Sequence, residues 1–434
     1  MTYEEALDYI NSRRRFAKSS GHERIKALLE KLSEPQNSLR FVHVVGTNGK
    51  GSVSTMISSV LTSAGYRTGL FTSPFVIEFR ERIRVDGEFI EKQALVRIIE
   101  KIKSISDELE KNGLAPTFFE VVLALALTYF REKECDIVVL EAGIGGRDDS
   151  TNIIPAPLAA VIMSVSLDHV DVLGDTVEKI AEHKCGIIKT GCDVVSYPDN
   201  GEEFGFLPQK KSVVEIIKRV SNEKGCPLFI PDMNEVRLIS QSLDSMTMKI
   251  GSLEFSTRLS GVHQIANSAT AVCAVKRLSE KGFDISDKNI VAGMENAFIP
   301  ARMEVVSKSP LIILDGGHNE GCIDALCSVI KSQLANRKIT ALMSFMKDKA
   351  HKKSVEMIAP LCENMVFTLA DSNRGEKPSV LKAEAEPYCK NVFSTDDVSA
   401  AFEKAKSLCK DDDVLIAAGS FYLVSDIRKA LFEK

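Results

Sequence analysis

VVGTNGKGS, from Val44 to Ser52, carries three glycines, a lysine and a closing hydroxyl residue, and its flanks decide how it is read. The run FVHVVG leading into it has the short, β-branched pattern of a buried strand. Beyond Gly51, the residues Val53, Met56, Ile57, Val60 and Leu61 recur at the spacing of one helix face. A glycine-rich turn between a strand and a helix lets successive backbone N–H groups, together with the helix N-terminus, face phosphate oxygens. Gly46, Gly49 and Gly51 free the backbone for that purpose, and Lys50 supplies a full positive charge. The spelling departs from GxxxxGK[ST]: Val44 stands at the first glycine position and Gly51 separates Lys50 from Ser52. The competing reading is a tight turn with an exposed lysine.

Further along, DIVVLEAG, LAAVIMSV and DVVSYP alternate with helical patterns, as in a parallel sheet flanked by helices. The expected fold class is α/β, with a P-loop NTPase-like parallel-sheet domain first. Residues 200–258 are less regular, and the alternation in MTMKIGSLEFST suggests an appended, antiparallel β-rich section before a helix beginning near His263. After NAFIPARME the rhythm restarts with LIILDG, ITALMSF, MVFTLA and VLIAAGS, a smaller Rossmann-like α/β unit. Pro300 interrupts the pattern, so the expected domains are 1–296 and 297–434, joined by a connector that lets them move. A chain of 434 residues is long enough for two such cores.

The charge balance, 55 basic against 60 acidic residues, gives no electrostatic case for nucleic acid or an anionic membrane. An anionic ligand must therefore meet a local cluster of positive groups. The N-terminus lacks the pattern of a signal peptide and no apolar run reaches membrane-spanning length, so a cytoplasmic location is expected. Ten cysteines without a CxxC pair read as reduced, buried thiols.

Acids at strand ends are the natural partners of a phosphate-bound cation, because α/β proteins bind ligands at the C-terminal edge of the sheet. Glu141 ends DIVVLE ahead of GIGGR, and Asp315 ends LIILD. His169, in SVSLDHVDVLG, lies just past another strand and by itself reads as an ordinary satisfied polar residue. Lys184, in AEHKCGIIK, falls in a helix beginning near Thr176, where pairing with Glu182 or solvent is the plain alternative. Phe118 and Phe119 in TFFE precede the apolar run VVLALALTYF; they could stack on a flat heterocycle, with one of the two expected in the core.

The loop GTNGKGS closely resembles the ATP-binding loop of folylpolyglutamate and dihydrofolate synthases, members of the Mur ligase superfamily. LDH with LGDT, HQxxN, PAR, LDGGHN and GSFYLVSD extend the resemblance almost to the C-terminus. It implies an ATP- and magnesium-dependent ligase that activates a folate or dihydropteroate carboxylate as an acyl phosphate and joins L-glutamate to it. It implies nucleotide contacts from Asn48, Gly49, Lys50, Gly51, Ser52, Asn267, Arg302 and Asp315. Magnesium (Mg2+) would be held by Ser52, Ser73, Glu141, His169 and a carbamylated Lys184. Catalytic roles fall to Lys50, Lys184 and, as a candidate base in a cleft shared with Asn319, His318. Phe75, Phe118 and Phe119 would border the pterin-side pocket, GSFYLVSD would pack the second unit, and the chain would be a monomer.

Some spellings depart from the family: Phe75 stands where many members have histidine, Ala301 replaces the glycine of PGR, and GGHNEG replaces GAHNP. They leave the choice between dihydropteroate and an already glutamylated folate open, with Phe75 inclining towards chain extension. Two alternatives stand beside this reading. A peptidoglycan-type amino-acid ligase is opposed by the short region before the loop and by the TFFE and LDH spellings. A catalytically silent nucleotide sensor is opposed by the joint presence of Lys50, Glu141, His169 and Lys184.

Overall fold

In a computed structural model, which describes residues 1–15, 21–347, 351–370 and 374–432, continuous apolar runs become the central strands. Eight strands form the first sheet: β1 (Phe41–Val45), β2 (Thr68–Phe71), β3 (Ile83–Val85), β4 (Glu88–Phe89), β5 (Ile137–Glu141), β6 (Ala159–Ile162), β7 (Asp193–Ser196) and β8 (Leu228–Phe229). Their order is β4-β3-β2-β5-β1-β6-β7-β8. The neighbours from β2 to β8 pair in parallel, and β3 and β4 extend the edge antiparallel. β1 and β5 are buried throughout, as strands covered on both faces must be.

The helix Lys50–Ser63 starts at Lys50, ahead of the expected start after Gly51, and presses Val53, Met56, Ile57, Val60 and Leu61 onto one face of the sheet. The other face is covered by helices that include Lys92–Lys111 and Phe118–Glu132. The second of these opens with a reciprocal cap, Thr117 and Glu120 each accepting the other's backbone N–H, which fixes where the two phenylalanines of TFFE emerge.

Only part of 200–258 is β-rich. Residues 211–223 form a helix with Val213, Val214 and Ile217 buried along one stripe, and β8 extends the first sheet. The antiparallel sheet comprises β9 (Val236–Gln241), β10 (Met246–Ile250) and β11 (Leu253–Thr257), the last two alternating buried and exposed residues.

A six-stranded sheet follows, built from β12 (Glu304–Lys308), β13 (Leu311–Leu314), β14 (Ile339–Met343), β15 (Asn364–Phe367), β16 (Asn391–Ser394) and β17 (Val414–Ala418). Its order is β12-β13-β17-β14-β15-β16, with only β12 antiparallel. It has apolar cores of its own on both faces. Between the sheets, Ala301 and Met303 take left-handed backbone conformations (φ 56° and 49°), uncommon for residues with a side chain. All ten cysteines are free, and among the described residues no helix is long and apolar enough to cross a membrane.

Candidate functional site

The loop after β1 is shaped by close approach. Gly49 has φ 83°, and a Cβ there would lie 2.6 Å from Asn267 Oδ1; a Cβ on Gly46 would lie 2.5 Å from that of Met163. Thr47 ties the loop to the chain after β6, its N–H donating to the Ser164 carbonyl (2.7 Å) and its Oγ1 to that of Ser166 (3.0 Å). Lys50 Nζ donates to the carbonyls of Gly46 (3.1 Å) and Thr47 (3.3 Å), so the ammonium sits in the turn instead of extending into solvent. Ser52 Oγ accepts from Gln264 Nε2 (3.4 Å), and Gln264 Oε1 accepts from Asn267 Nδ2 (2.9 Å). The first turn of the helix His263–Glu280 thereby braces the glycine-rich loop and the helix that follows it.

Glu141, at the end of β5, is 3% exposed and accepts the N–H of Ser73 at 2.9 Å. Burial raises its pKa; Lys50, the Ser73 N–H, Arg302 and Arg82 pull the other way. A Cβ on Gly51 would lie 3.6 Å from its Oε2, which puts the carboxylate beside the first turn of the helix Lys50–Ser63. Ser73, next to β2, arrives there because β2 pairs with β5. Among the described residues no three His, Cys, Asp or Glu side chains converge. The donor set fits a hard cation that takes a few protein oxygens and completes its shell with phosphate and water, as magnesium does. His169 stands beyond β6 with φ 50° and its ring 3.9 Å from the Asp168 carboxylate.

Lys184 ends the helix Val177–Lys184 and is 3% exposed. Its Nζ donates to the Gly46 carbonyl at 2.8 Å, while Glu182 holds Arg219. The alternative pairing with Glu182 is therefore excluded. Burial, aided by the charge of Lys50 and opposed by Asp168 and Asp149, lowers its pKa to about 7. An amine that is partly neutral near pH 7 is the form that adds carbon dioxide.

The second α/β unit closes the cleft. Asp315 accepts two backbone N–H groups, Gly317 at 2.7 Å and Met303 at 3.0 Å; burial raises its pKa and Arg302 opposes the rise. Arg302 lies 4.9 Å over the Phe421 ring, and the His318 ring is 5.8 Å from the same phenylalanine. His318 Nδ1 is 3.2 Å from the Gly316 carbonyl. Asn319 reaches across, its Nδ2 donating to Asn48 Oδ1 at 2.9 Å. Asn48, Gly49, Asn267, Arg302 and Asp315 line one cleft, walled by apolar residues such as Phe206, Val262 and Leu326.

Phe75, Phe118 and Phe119 are all half-buried, so neither phenylalanine of TFFE is a fully buried core residue. Phe119 packs edge-on against Phe71 at 5.8 Å. Phe118 and Phe75 instead face Arg82, at 5.6 and 5.2 Å. Sequence reasoning missed Arg82, Gln264 and the contact between Arg15 and the Tyr422 hydroxyl (3.4 Å), and it gave GSFYLVSD only a packing role. The alternation of arginines in RERIR was the one available signal for Arg82.

A family model described as the Mur ligase middle domain matches residues 44–275, and one for the Mur ligase glutamate ligase domain matches 301–421. The dihydrofolate synthase/folylpolyglutamate synthase of Bacillus subtilis (strain 168) is 33% identical over 434 residues, spanning 99% of this chain and 99% of its own. A crystal structure of folylpolyglutamate synthase from Thermotoga maritima superposes with a TM-score of 0.84 at 32% identity, covering 100% of this chain and 97% of that one. An FPGS–AMPPCP–folate complex superposes with a TM-score of 0.84 at 30% identity, each chain covered in full.

Proposed function

The chain belongs to the Mur ligase family, among the folylpolyglutamate and dihydrofolate synthases, and from that premise we infer that it joins L-glutamate to a folate carboxylate with conversion of ATP to ADP and phosphate. The observation that carries the reading is Glu141: a buried strand-end carboxylate beside the phosphate loop, in no ion pair among the described residues.

A carboxylate is a poor electrophile, so the first step moves the γ-phosphoryl of ATP onto the acceptor carboxylate. Lys50 and the N-terminus of its helix stabilise the charge on the phosphoryl group in transit. Ser52, Ser73 and Glu141 would hold magnesium through their oxygens, and His169 and a carbamylated Lys184 would serve a second ion; the metal would supply neutralisation of the phosphates. The burial of Lys184 and its contact with Gly46 support the carbamate: the amine nitrogen bonds the carbon of carbon dioxide and a proton leaves. Asn48, Gly49, Asn267, Arg302 and Asp315 hold the nucleotide, which their shared lining of the cleft supports, together with Gly51 in the first turn of the helix Lys50–Ser63. The amine of glutamate then attacks the acyl phosphate, phosphate departs, and His318 takes the proton. Asn319 on Asn48 draws the second unit against the loop and excludes water from the acyl phosphate. Phe75, Phe118 and Phe119 border the acceptor's flat ring.

We place the moving joint so that 1–296 and 297–434 act as the two bodies, the six-stranded sheet beginning at Glu304 in support. The free cysteines support a reducing, cytoplasmic setting and a monomer needs no further surface. The test is phosphate release by purified protein with ATP, magnesium and glutamate, adding dihydropteroate or tetrahydrofolate monoglutamate, with mass spectrometry of products. The expected result is release with a glutamyl mass gain on the tetrahydrofolate; no release with either acceptor overturns the reading.

A further inference from the structure

Arg80, Arg82 and Arg84 lie two apart in the stretch EFRERIR, Glu78 to Arg84. Two of the three have carboxylates from the same stretch: Arg80 Nη2 is 2.6 Å from Glu78, and Arg84 Nη2 is 3.2 Å from Glu81. Arg82 has no ion pair among the described residues, and its Nε has no hydrogen-bond partner although the residue is only 8% exposed. The rings of Phe75, Phe118 and Phe79 stand 5.2, 5.6 and 5.9 Å from its guanidinium carbon. Cation–π contact with three rings fixes the group without neutralising it. A buried cation left in that state marks a place where a ligand brings the counter-charge.

The surroundings define which ligand. The Arg82 carbonyl accepts the N–H of Thr72 at 3.0 Å, and the next residue, Ser73, donates to Glu141. Arg82 is thus tied to the segment after β2 that brings Ser73 to Glu141, with Phe75 and Phe118 packed against its guanidinium. Burial holds its pKa down to about 10; Tyr422, Glu141 and Glu81 favour its charge, whereas Arg15 opposes it. Arg15 and Tyr422 meet at 3.4 Å, and both lie near enough to Arg82 to act on its charge, so a second guanidinium stands in its neighbourhood.

We propose that Arg82, with Arg15 beside it, binds the α-carboxylate of the acceptor's terminal glutamyl unit, a subsite that dihydropteroate cannot fill. This rests on the ligase reading above. A glutamylated folate presents two carboxylates on one short arm. Anchoring the α group at Arg82 delivers the γ group to the phosphoryl donor. Each turnover ends with a new terminal glutamyl unit carrying the same pair, so one clamp serves every round of extension. Dihydropteroate has a single carboxylate, which has to be the reacting one. Incoming glutamate also has an α-carboxylate, but Arg82 lies on the aromatic, acceptor side.

The test is calorimetric titration of AMPPCP-loaded protein with pteroate and with pteroylglutamate, comparing wild type, Arg82→Gln and Arg82→Lys after thermal melts establish folding. Wild type should prefer pteroylglutamate. Arg82→Gln should weaken pteroylglutamate at least about tenfold and pteroate less than about threefold, and Arg82→Lys should recover part of the loss, because a charge-assisted contact is removed and then partly restored. Equal weakening of both ligands, or no preference in wild type, overturns the proposal. In turnover the KM for tetrahydrofolate monoglutamate should rise while that for glutamate holds; a rise confined to glutamate also overturns it. Selective binding by a protein that turns over neither acceptor would uphold the subsite and reject the ligase reading. Should Arg82→Gln fail to fold, Arg15→Gln, at an exposed position, must show the same selective loss.

Discussion

Glu141 and Asp315 end buried apolar strands in the two α/β units, and from the sequence they are twins. Burial raises both pKa values, and Arg302 opposes both. Their hydrogen bonds separate them. Each oxygen of Asp315 accepts a backbone N–H, one from Gly317 and one from Met303 in the joint between the sheets, so this acid staples the joint to the sheet edge. Glu141 accepts one N–H, that of Ser73, and turns its remaining capacity towards Gly51 and Lys50. A strand-end carboxylate therefore reveals its role through the lone pairs that the backbone leaves unused.

The strongest way to break this contrast is Glu141→Gln, which keeps an acceptor for Ser73 but loses the charge. Phosphate release should fall at least about 100-fold, as expected when a group stabilising the transferring phosphoryl is lost. The melting temperature without nucleotide should not fall, because a buried charge is removed. Activity within about tenfold of wild type would put both acids on the same structural footing.

Asp315→Asn, unlike Glu141→Gln, should cost stability. Its amide can accept from only one of the two N–H groups, so urea unfolding should show a loss of about 1–3 kcal/mol. Unchanged stability would remove the staple. A smaller effect is expected from Asn319→Asp, which keeps the acceptor for the Cys322 N–H but loses the donor to Asn48. The KM for ATP should rise roughly fivefold, worth about 1 kcal/mol, with little change in melting temperature. A KM equal to wild type would mean that the contact between the units does not serve the nucleotide.

His43 sharpens the contrast from outside, as burial without a ligand to serve. It lies in β1 with Nε2 2.9 Å from Thr151 Oγ1, and burial, with a smaller contribution from the charge of Lys189, lowers its pKa to about 3. Above the unfolded value of 6.5 neither state is protonated, so nothing is lost. As pH falls towards 3 the unfolded chain takes up a proton that the folded chain refuses, and stability declines. Near neutrality the effect is the smallest of the four, roughly 0.4 kcal/mol at about pH 6.5, growing with further acidification. Denaturant midpoints from pH 7 to 5 should fall less steeply for His43→Gln; parallel slopes would show that His43 is not the group responsible.

Both strand-end acids were legible because β-branched runs and their terminal residue are local signals. Which acid was stapled was not, since the deciding N–H of Met303 lies twelve residues from Asp315 and comes into place only through the left-handed joint. The short strands β2 and β16, four residues each, and the antiparallel edges β3, β4 and β12 gave too little period to read. The separation of Lys184 from Glu182 was available in principle, because helix neighbours two apart do not face one another. For Arg82 the alternation was visible, but only the structure shows Glu78 and Glu81 committed to Arg80 and Arg84.

The left-handed pair Ala301 and Met303 inverts the usual order of tolerated substitutions at the joint. Elsewhere in a buried chain valine or isoleucine fills space and glycine loosens it. At these two positions glycine suits the backbone, and a β-branched residue meets a steric conflict that no repacking of neighbours can relieve. A saturation scan of the chain should find its signature of the joint here: two sites, flanking one arginine, where the smallest residue is accepted and the good strand formers are refused.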